Sequence, residues 1–429
     1  MFRLFLTTLS LLLAIVSFGQ GDISSQTIDN ASLHSANADT IIIKDSKGYL
    51  YQIMSDQKVG VAPGGTYSGD IIIPSQLKYD GNIYTVTTVR RGAMWKKDGA
   101  SNVGNITSIT LPETVTLVGA DAFRGNASLT SVNCGDNTRI EVRSFWGCPK
   151  LQIQKNEPLF AYTEPYDISE YKGKNAYQFF TRIYYPCEEK EPDIAKNNWA
   201  FFKYNHSGIK FDSWHSFDKE NAMACYCYRI KNVRGGLFRL QNPDNVESLF
   251  KGYLTGDNVV VLADNGYVAT HEFPMFSRWI WGEEEKSMPK TFITSMEKKY
   301  GRKVKYSYEC GKLLYTSNEM LAITEFQITN HECMYVLSWL KDGKEICSYV
   351  EKQKTDPDYE EYSVWNVDDD GTYGIPEVMT IARDENGNIE LFLLHAAPES
   401  LNFSHLVQKG NKFVETGMDQ WYVWIDSPE

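Results

Sequence analysis

Apolar positions recur at a nearly fixed interval between Ile106 and Leu151. Ile106 to Leu129 is 23 residues and Leu129 to Leu151 is 22, an interval within the roughly 20 to 29 residues of a leucine-rich repeat. Each interval opens with apolar residues at its first, fourth and sixth positions, the spacing of a short strand that turns alternate side chains inward. A second apolar group, which includes Ala122 and Phe123, follows on a return segment. The pattern therefore predicts strands and returns in alternation.

One such repeat cannot cover its own apolar face, so neighbouring copies have to stack, each adding a strand in parallel to the one before. An earlier copy fits the same register, since residues 71–74 (IIIP) match residues 109–112 (ITLP). The fold class predicted for this part is a short leucine-rich-repeat solenoid of parallel strands with return turns. Its outward strand positions are polar and are the first candidate ligand-binding residues: Thr107, Ser108, Thr110, Thr130, Ser131 and Asn133.

Five short segments carry a resemblance to a known family. They are residues 67–75 (YSGDIIIPS), 84–87 (YTVT), 109–112 (ITLP), 122–123 (AF) and 147–148 (GC). They resemble the BspA-like leucine-rich repeats of bacterial surface antigens over residues 41–154, about a quarter of the chain. The chain departs from the family pattern at Arg90-Arg91, where glycine and a polar residue are usual. It departs again at Asn126, because the equivalent position of the next repeat is Cys148. The resemblance implies a surface-exposed or secreted protein that adheres to host proteins or to other cells.

The chain after residue 154 has a different composition. It holds 45 of the 57 Phe, Trp and Tyr residues, against 12 before it. Asn265-Gly266, Asp342-Gly343 and Asn386-Gly387 each separate apolar runs, and such dipeptides favour tight hairpin turns. Residues 155–429 are therefore predicted to form a mostly antiparallel β (α+β) domain rich in aromatic residues.

One segment breaks the strand pattern. Between Pro289 and Gly301 the apolar residues recur at helical spacing, and two lysines occupy the last turn. We predict an amphipathic helix over residues 290–300. It either divides the domain near residues 287–302 or is carried by one large sheet domain, and the sequence leaves both arrangements open.

The N-terminus predicts export. A positive charge precedes an apolar run that ends at Phe18 and is too short for a membrane span, and Ser17 and Gly19 are small residues at the two positions that a signal peptidase reads. We expect residues 1–19 to be a signal peptide. Residues 20–40 are rich in Ser, Asn, Asp and Ala without apolar periodicity, which predicts a disordered leader.

Net charge and hydropathy limit the partner classes. The formal charge is −12 and becomes −13 when Arg3 leaves with the signal, which disfavours electrostatic binding to nucleic acid or anionic lipid. No Cys follows the apolar run, so no lipoprotein anchor is expected, and no later stretch is apolar over the length of a membrane span. We expect a partner of protein or glycan at the cell surface. The periplasm, the outer surface and the medium all stay open as the compartment.

Eight cysteines in an exported chain raise the question of disulfides. Cys134 falls on an inward strand position and Cys148 lies beside the inward Phe145, so both are interpreted as core thiols. The sequence leaves one or two bridges open among the other six, because connectivity cannot be deduced from sequence: Cys187, Cys225, Cys227, Cys310, Cys333 and Cys347.

Common catalytic motifs are absent from the sequence. It has no G-x-S-x-G elbow, no H-E-x-x-H, no phosphate-binding glycine loop and no C-x-x-C. His331 with Cys333, and Cys225 with Cys227, are metal-like pairs that we interpret as structural strand residues, because zinc sites normally show wider paired spacings. We predict that the protein is not an enzyme. A secreted hydrolase of unrecognised family stays as an alternative.

Aromatic residues give a second binding hypothesis. Trp279 and Trp281 lie in a polar stretch of the sequence, where flat rings offer a platform on which sugars stack. The competing interpretation is that they fill the sheet core, since large aromatic residues are usually buried.

An acidic loop is the third candidate site. Four of its oxygen-bearing residues stand at positions one, three, five and twelve of a calcium loop, with glycine at position six: Asn366, Asp368, Asp370 and Glu377. Against a calcium site, Pro376 disfavours the exiting helix and the flanks are strand-like, so a metal-free acidic turn competes with it. Calcium is the one cofactor that the sequence suggests.

Together these patterns predict an exported, non-enzymatic recognition protein. Its first predicted activity is adhesion or protein binding through the outward strand face of the solenoid. The alternative is glycan binding through the aromatic-rich C-terminal domain.

Overall fold

The structure, a computed structural model, describes most of the repeat segment and most of the C-terminal sheet. The described residues are 16–18, 27–28, 32–37, 40–55, 57–97, 102–135, 138–153, 157–165, 180–186, 199–202, 209–218, 233–240, 258–278, 286–314, 318–354, 376–397, 400–416 and 422–424. They form two compact units, of which the first comprises Met1–Asn156 and Asn265–His271 and the second Glu157–Asp264 and Glu272–Glu429.

In the described part of the first unit there are thirteen strands and one short helix. They are β1 (Val16–Phe18), β2 (Thr27–Ile28), β3 (Ser32–Asn37), β4 (Thr40–Lys44), β5 (Leu50–Ser55), β6 (Lys58–Val61), β7 (Tyr67–Ile72), β8 (Gln76–Tyr79), β9 (Asn82–Val89), β10 (Val103–Thr110), β11 (Leu117–Val118), β12 (Ser131–Cys134), β13 (Arg139–Ile140) and α1 (Asn265–Thr270).

The described part of the second unit contains sixteen strands and one longer helix. They are β14 (Leu159–Pro165), β15 (Phe180–Pro186), β16 (Trp199–Phe202), β17 (Ile209–Asp218), β18 (Val233–Leu240), β19 (Asn258–Ala263), β20 (Phe276–Arg278), α2 (Lys290–Tyr300), β21 (Val304–Leu313), β22 (Glu319–Thr329), β23 (Glu332–Lys341), β24 (Lys344–Lys354), β25 (Glu377–Arg383), β26 (Ile389–Ala397), β27 (Ser400–Lys409), β28 (Lys412–Glu415) and β29 (Tyr422–Trp424).

Each repeat adds one strand to each of two parallel ladders. β10 pairs in parallel with β7 and β12, and Ile109 lies opposite Ile71 and Val132. On the return side, β11 pairs in parallel with β9 and β13, and Val118 lies opposite Ile140. This is the parallel stacking and the register that the sequence repeat predicts.

The inward side chains of the repeats form one apolar core. Ile106, Ile109 and Leu111 are buried, as alternation along a strand requires. Phe123 and Phe145 stack across neighbouring repeats, with ring centroids 5.5 Å apart and planes inclined by 12°. The return segments of these two neighbouring repeats therefore pack together through a buried aromatic pair.

Each return turns through one residue in the left-handed conformation. The N–H of Gly92 bonds to the carbonyl oxygen of Ala120, and that of Asp121 bonds to Val142 one repeat later, so Gly92 and Asp121 are equivalent. Their φ angles are 63° and 57°, and Arg143 follows in the third repeat at 57°. Only glycine adopts this conformation without a steric cost. The second and third repeats accept that cost and gain a charged side chain at the turn.

Residues 265–271 close the last repeat. The carbonyl oxygens of Val268 and Ala269 accept hydrogen bonds from the backbone N–H groups of Arg143, at 3.3 Å, and Phe145, at 3.1 Å. Ala269 is buried in the apolar core of the repeats. Helix α1 thus satisfies backbone donors that a final repeat otherwise leaves exposed, which is the role of a cap in a stack of repeats.

The hairpin turn predicted at Asn265-Gly266 is wrong. Strand β19 ends at Ala263, and Asn265 begins α1 instead of a return strand. Gly266, Tyr267 and the two residues that follow are buried. Burial against the repeats outweighs the local turn preference, because tertiary context overrides propensity at this scale.

The segment predicted as a disordered leader contains two strands. β3 pairs antiparallel with β4, and β2 pairs in parallel with β8. Even a polar segment adds to a sheet edge, because the pairing uses backbone groups that nearly every residue carries. β1, within the predicted signal peptide, pairs in parallel with β12. Cleavage after Gly19 stays a prediction.

The second unit is mainly antiparallel sheet, as the sequence predicts. Six strands close into a ring in the order β14-β15-β18-β17-β16-β19. The larger sheet runs β20-β21-β22-β23-β24-β28-β27-β26-β25, with β29 on β27. Its neighbours pair antiparallel, except that β24 and β28 meet in parallel.

Two predicted hairpins and the predicted helix are confirmed. Asp342 and Gly343, with φ of 50° and 73°, join β23 to β24 in the left-handed turn that favours this dipeptide, and β25 pairs with β26 around Asn386-Gly387. Helix α2 covers residues 290–300 and ends at Gly301, whose φ is 67°. β20 before this helix and β21 after it are adjacent strands of one sheet.

The described cysteines are buried thiols, not disulfides. The core interpretation of Cys134 and Cys148 is confirmed, since both belong to the apolar core of the repeats. In the second unit burial raises the pKa of the Cys347 thiol to about 12, so this thiol is inert at neutral pH. Cys310 and Cys333 are buried as well, and Cys187, Cys225 and Cys227 lie outside the described residues.

Candidate functional site

The outward side chains of β7, β10 and β12 form two rows across the first ladder. The first row is Asp70, Ser108 and Ser131, which lie opposite one another in the three strands. The Asp70 carboxylate accepts hydrogen bonds from the hydroxyls of Ser108, at 2.6 Å, and Thr107, at 2.8 Å. These hydrogen bonds, that of Ser108 first, lower the pKa of Asp70. The row is therefore an ionised carboxylate with hydroxyl groups held against it.

The second row lies two residues further along the strands. Thr110 pairs with Ile72 on one side and Asn133 on the other. The Ile72 side chain is 44% exposed, while Thr110 and Asn133 are partly exposed. The side-chain oxygen of Asn133 is buried and accepts no hydrogen bond from the described residues, so it is not available at the surface. This row thus presents the apolar Ile72 side chain beside the partly exposed Thr110.

Thr130 stands just before β12 and is less available. Its hydroxyl donates to the carbonyl oxygen of Thr107 at 2.9 Å, parallel to its own backbone N–H. The hydroxyl therefore joins the two strands. All six predicted residues lie on this ladder, and we call the whole surface the strand face: Asp70, Ile72, Thr107, Ser108, Thr110, Thr130, Ser131 and Asn133.

Sequence reasoning missed Asp70 and Ile72. The signal was present, because the match of residues 71–74 to 109–112 sets Ile72 at the position of Thr110 and Asp70 at that of Ser108. The predicted candidates are polar residues of the two regular repeats, so they leave out Asp70, which lies in the earlier copy, and Ile72, which is also apolar.

The two alternative sites lie largely outside the described residues. Trp279 and Trp281 are outside them, and so are Asn366, Asp368 and Asp370. Glu377, the last residue of the proposed calcium loop, opens β25. Glycan stacking and calcium binding at these positions stay predictions. Within the described ranges no three His, Cys, Asp or Glu side chains converge as a metal site.

The second unit contains a hydroxyl–imidazole–carboxylate series, the constellation that hydrolases use. His405 Nε2 lies 3.1 Å from Glu390 Oε2, and His405 Nδ1 lies 3.0 Å from Thr416 Oγ1. Phe392 stacks on the imidazole at 4.2 Å, and the His405 side chain is 1% exposed. The backbone N–H of Thr416 also donates to the His405 carbonyl. We interpret the series as a core network that joins strands.

Solved structures similar to this chain match about a quarter of it. A leucine rich cell surface protein from Faecalibacterium prausnitzii is 24% identical over 26% of this chain and 30% of its own, with a TM-score of 0.23. A leucine-rich repeat protein from Bacteroides capillosus is 25% identical over 27% of this chain and 79% of its own, with a TM-score of 0.22. A leucine-rich repeat protein from Bacteroides ovatus is 26% identical over 25% of this chain and 27% of its own, with a TM-score of 0.20.

This chain spans less than a third of the length of the first and third of these proteins. No protein-family model and no curated protein matches it. A segment of the chain is thus similar to leucine-rich repeat proteins, in agreement with the resemblance found in the sequence. In the part of the chain that the structure describes, no helix has the length and apolar character needed to cross a membrane.

Proposed function

We propose that this is an exported recognition protein that binds a protein partner through the strand face. The observation that carries the proposal is the pair of cross-strand rows, in which exposed Ile72 stands beside Thr110, and Asn133 lies on the other side of Thr110. An exposed apolar side chain beside hydrogen-bonding groups fits a protein interface with a small apolar centre. The signal-like N-terminus and the family resemblance support export.

The backbone beneath these side chains is already ordered. Parallel pairing fixes the strands, and the hydroxyls of Ser108 and Thr107 are held by Asp70. Binding therefore costs little additional ordering entropy. Three strands spaced about 4.8 Å apart make a face only about 10 Å wide. We expect a contact below about 1,000 Å², and hence a weak or transient complex, unless neighbouring surfaces join it.

The test is binding of the full chain to a panel of purified extracellular-matrix proteins, measured by biolayer interferometry. Two variants change the strand face, Ile72→Asp and Thr110→Lys. Each has a matched control on the return side of the same unit. Ile83→Asp replaces another exposed isoleucine, 49% exposed in β9, and Thr116→Lys replaces a threonine that is exposed.

We expect the strand-face variants to weaken binding at least tenfold and the controls to leave it unchanged. All four variants are first checked for unaltered thermal melting. Equal binding by wild type and both strand-face variants contradicts the proposal. Glycan binding lost on Trp279→Ala instead favours the alternative in the C-terminal domain.

A further inference from the structure

A second exposed column runs along the return side of the repeats, next to the buried Phe123 and Phe145. Backbone hydrogen bonds from Lys96 to Arg124 and from Gly125 to Trp146 set Trp95, Arg124 and Trp146 in equivalent positions of successive repeats. The Arg124 guanidinium lies 4.9 Å from the ring centroid of Trp95 and 5.8 Å from that of Trp146. A cation therefore sits between two indole rings, and all three side chains are partly exposed.

Further cations surround this column. Lys97 Nζ lies 4.5 Å from the Trp95 ring centroid. The Asp121 side chain is 2% exposed, and its carboxylate forms salt bridges with three guanidinium groups. The N···O distances are 3.0 Å to Arg143, 3.1 Å to Arg124 and 3.9 Å to Arg91. Of these three guanidinium groups, that of Arg91 lies furthest from the carboxylate, and its side chain is 76% exposed, so its positive charge faces solvent. A second carboxylate nearby, that of Glu141, accepts the backbone N–H of Ala120 and lies 3.3 Å from Arg139.

The sequence of the first return concentrates the charge. Residues 89–97 contain Arg90, Arg91, Lys96 and Lys97 and no acidic residue, in a chain whose net charge is −12. Arg90-Arg91 is also where the chain departs from its family resemblance. The Lys96 ammonium is bonded to the Asn105 side chain, so the surface that we call the basic edge consists of the other residues around the column: Arg91, Trp95, Lys97, Arg124, Arg143 and Trp146.

We propose that the basic edge is a second binding site, one that takes an anionic polysaccharide bearing sulfate or uronate groups. Guanidinium groups form forked, charge-assisted hydrogen bonds with such oxyanions. The indole rings hold the Arg124 plane in place, so its remaining N–H groups are presented in a fixed direction. This site is separate from the strand face and is independent of the function proposed there.

The aromatic rings favour a polysaccharide over an acidic peptide. Equivalent positions of the column hold Trp95, Arg124 and Trp146, so one cation lies between two indole rings. Aromatic rings are surfaces on which sugar rings pack, and both indoles are partly exposed. A sugar chain that carries anionic groups therefore contacts the rings and the cations together, whereas an acidic peptide uses the cations alone.

The test measures binding of the full chain to immobilised heparin, as the sulfated probe, and to polygalacturonate, as the uronate probe. Neutral dextran and poly-L-glutamate are the comparison ligands. The double variant Arg91→Glu/Lys97→Glu reverses two exposed charges of the basic edge. Its matched control is Lys58→Glu/Lys78→Glu, which makes the same change of net charge at two exposed lysines elsewhere in the first unit.

We expect binding to at least one anionic polysaccharide, weakening as salt screens the charges, and no binding to dextran. The basic-edge variant should bind at least tenfold more weakly than the control variant, with unchanged melting. The stronger of the two polysaccharide signals then identifies sulfate or uronate as the preferred group. Equal weakening in both variants, or no binding to either polysaccharide, overturns the proposal. Tighter binding to poly-L-glutamate also overturns it and indicates an acidic protein partner.

Discussion

Asn126 and Cys148 make the same hydrogen bond one repeat apart. The side-chain amide of Asn126 donates to the carbonyl oxygen of Met94 at 2.8 Å, and the Cys148 thiol donates to that of Phe123 at 3.3 Å. In both cases the return reaches the carbonyl of the inward residue one repeat earlier. The departure from the family pattern at Asn126 therefore keeps the function of the position and changes only the donor.

This equivalence predicts the outcome of substitution. Asn126→Ala removes the bond to Met94 and a second one to the Phe123 carbonyl at 2.7 Å, and we expect a loss of about 1 to 3 kcal/mol in the stability of the repeats. Asn126→Cys should recover part of it. Hydrogen exchange of residues 102–135 measures the local stability. If the alanine and cysteine variants exchange alike, the thiol does not replace the amide.

The stacked aromatic pair gives a second prediction. Phe123 is fully buried, so Phe123→Ala should destabilise the first unit by about 3 to 5 kcal/mol. Thr110→Ala, on the strand face, should cost less than about 0.5 kcal/mol. Denaturant unfolding, with hydrogen exchange as the readout for the first unit, measures the stability of each variant. Small and equal losses would show that the inward and outward positions are wrongly assigned.

The sequence predicts what lies within one repeat or one hairpin. The register of Ile109 on Val132 follows from a spacing of 23 residues, and the turn at Asp342-Gly343 follows from local backbone preference. The cap formed by Val268 and Ala269 does not follow in this way. More than 110 residues separate the cap from the repeats in the sequence, and no local sequence pattern indicates that it is buried against them.

The same limit applies to the candidate site. Polarity at alternate positions predicts Thr110 and Asn133, because strand geometry turns those side chains outward. The cluster of three arginines on Asp121 depends on left-handed turns at Asp121 and Arg143. Neither residue type favours that conformation strongly enough to predict it, so the basic edge becomes visible only in three dimensions.

The cap predicts that a distant substitution weakens the repeats. Ala269→Asp places a carboxylate in the core of the first unit, where an unpaired charge is costly. We expect faster hydrogen exchange in residues 138–153, the last repeat, with a smaller effect on residues 57–97. Met275→Asp, at a position that is 44% exposed, is the control. Unchanged exchange in the last repeat would mean that α1 contributes nothing to it.

Glu319 predicts a strong effect in the second unit. Its side chain is 5% exposed. Its carboxylate forms a salt bridge with the Arg383 guanidinium at 2.7 Å and accepts a hydrogen bond from the indole N–H of Trp339 at 3.0 Å. Glu319→Ala leaves both donors in a nearly dry site, so we expect a loss of about 3 kcal/mol or more. Lys341 Nζ lies 3.3 Å from the same carboxylate, but its side chain is 53% exposed. The substitution Lys341→Ala should therefore reduce the stability by less than about 1 kcal/mol. Similar losses, measured by urea unfolding, would contradict this order.

His395 predicts how the stability of the second unit depends on pH. Burial lowers the pKa of His395 from 6.5 to about 4, and its Nε2 lies 3.2 Å from the Ser404 hydroxyl. Because the folded pKa lies below the unfolded one, the unfolded chain binds the proton first as pH falls. The contribution of His395 is therefore fully present above about pH 6.5 and is lost between about pH 6.5 and 4, at up to about 1.4 kcal/mol per pH unit.

Substitution isolates that contribution from other titrating groups. His395→Gln keeps a hydrogen-bonding side chain beside Ser404 but has no proton to gain in this range. We expect the difference in unfolding free energy between wild type and His395→Gln to change by on the order of 3 kcal/mol between pH 7 and pH 4. A constant difference between wild type and His395→Gln across that range would show that His395 is protonated equally in the folded and unfolded chain.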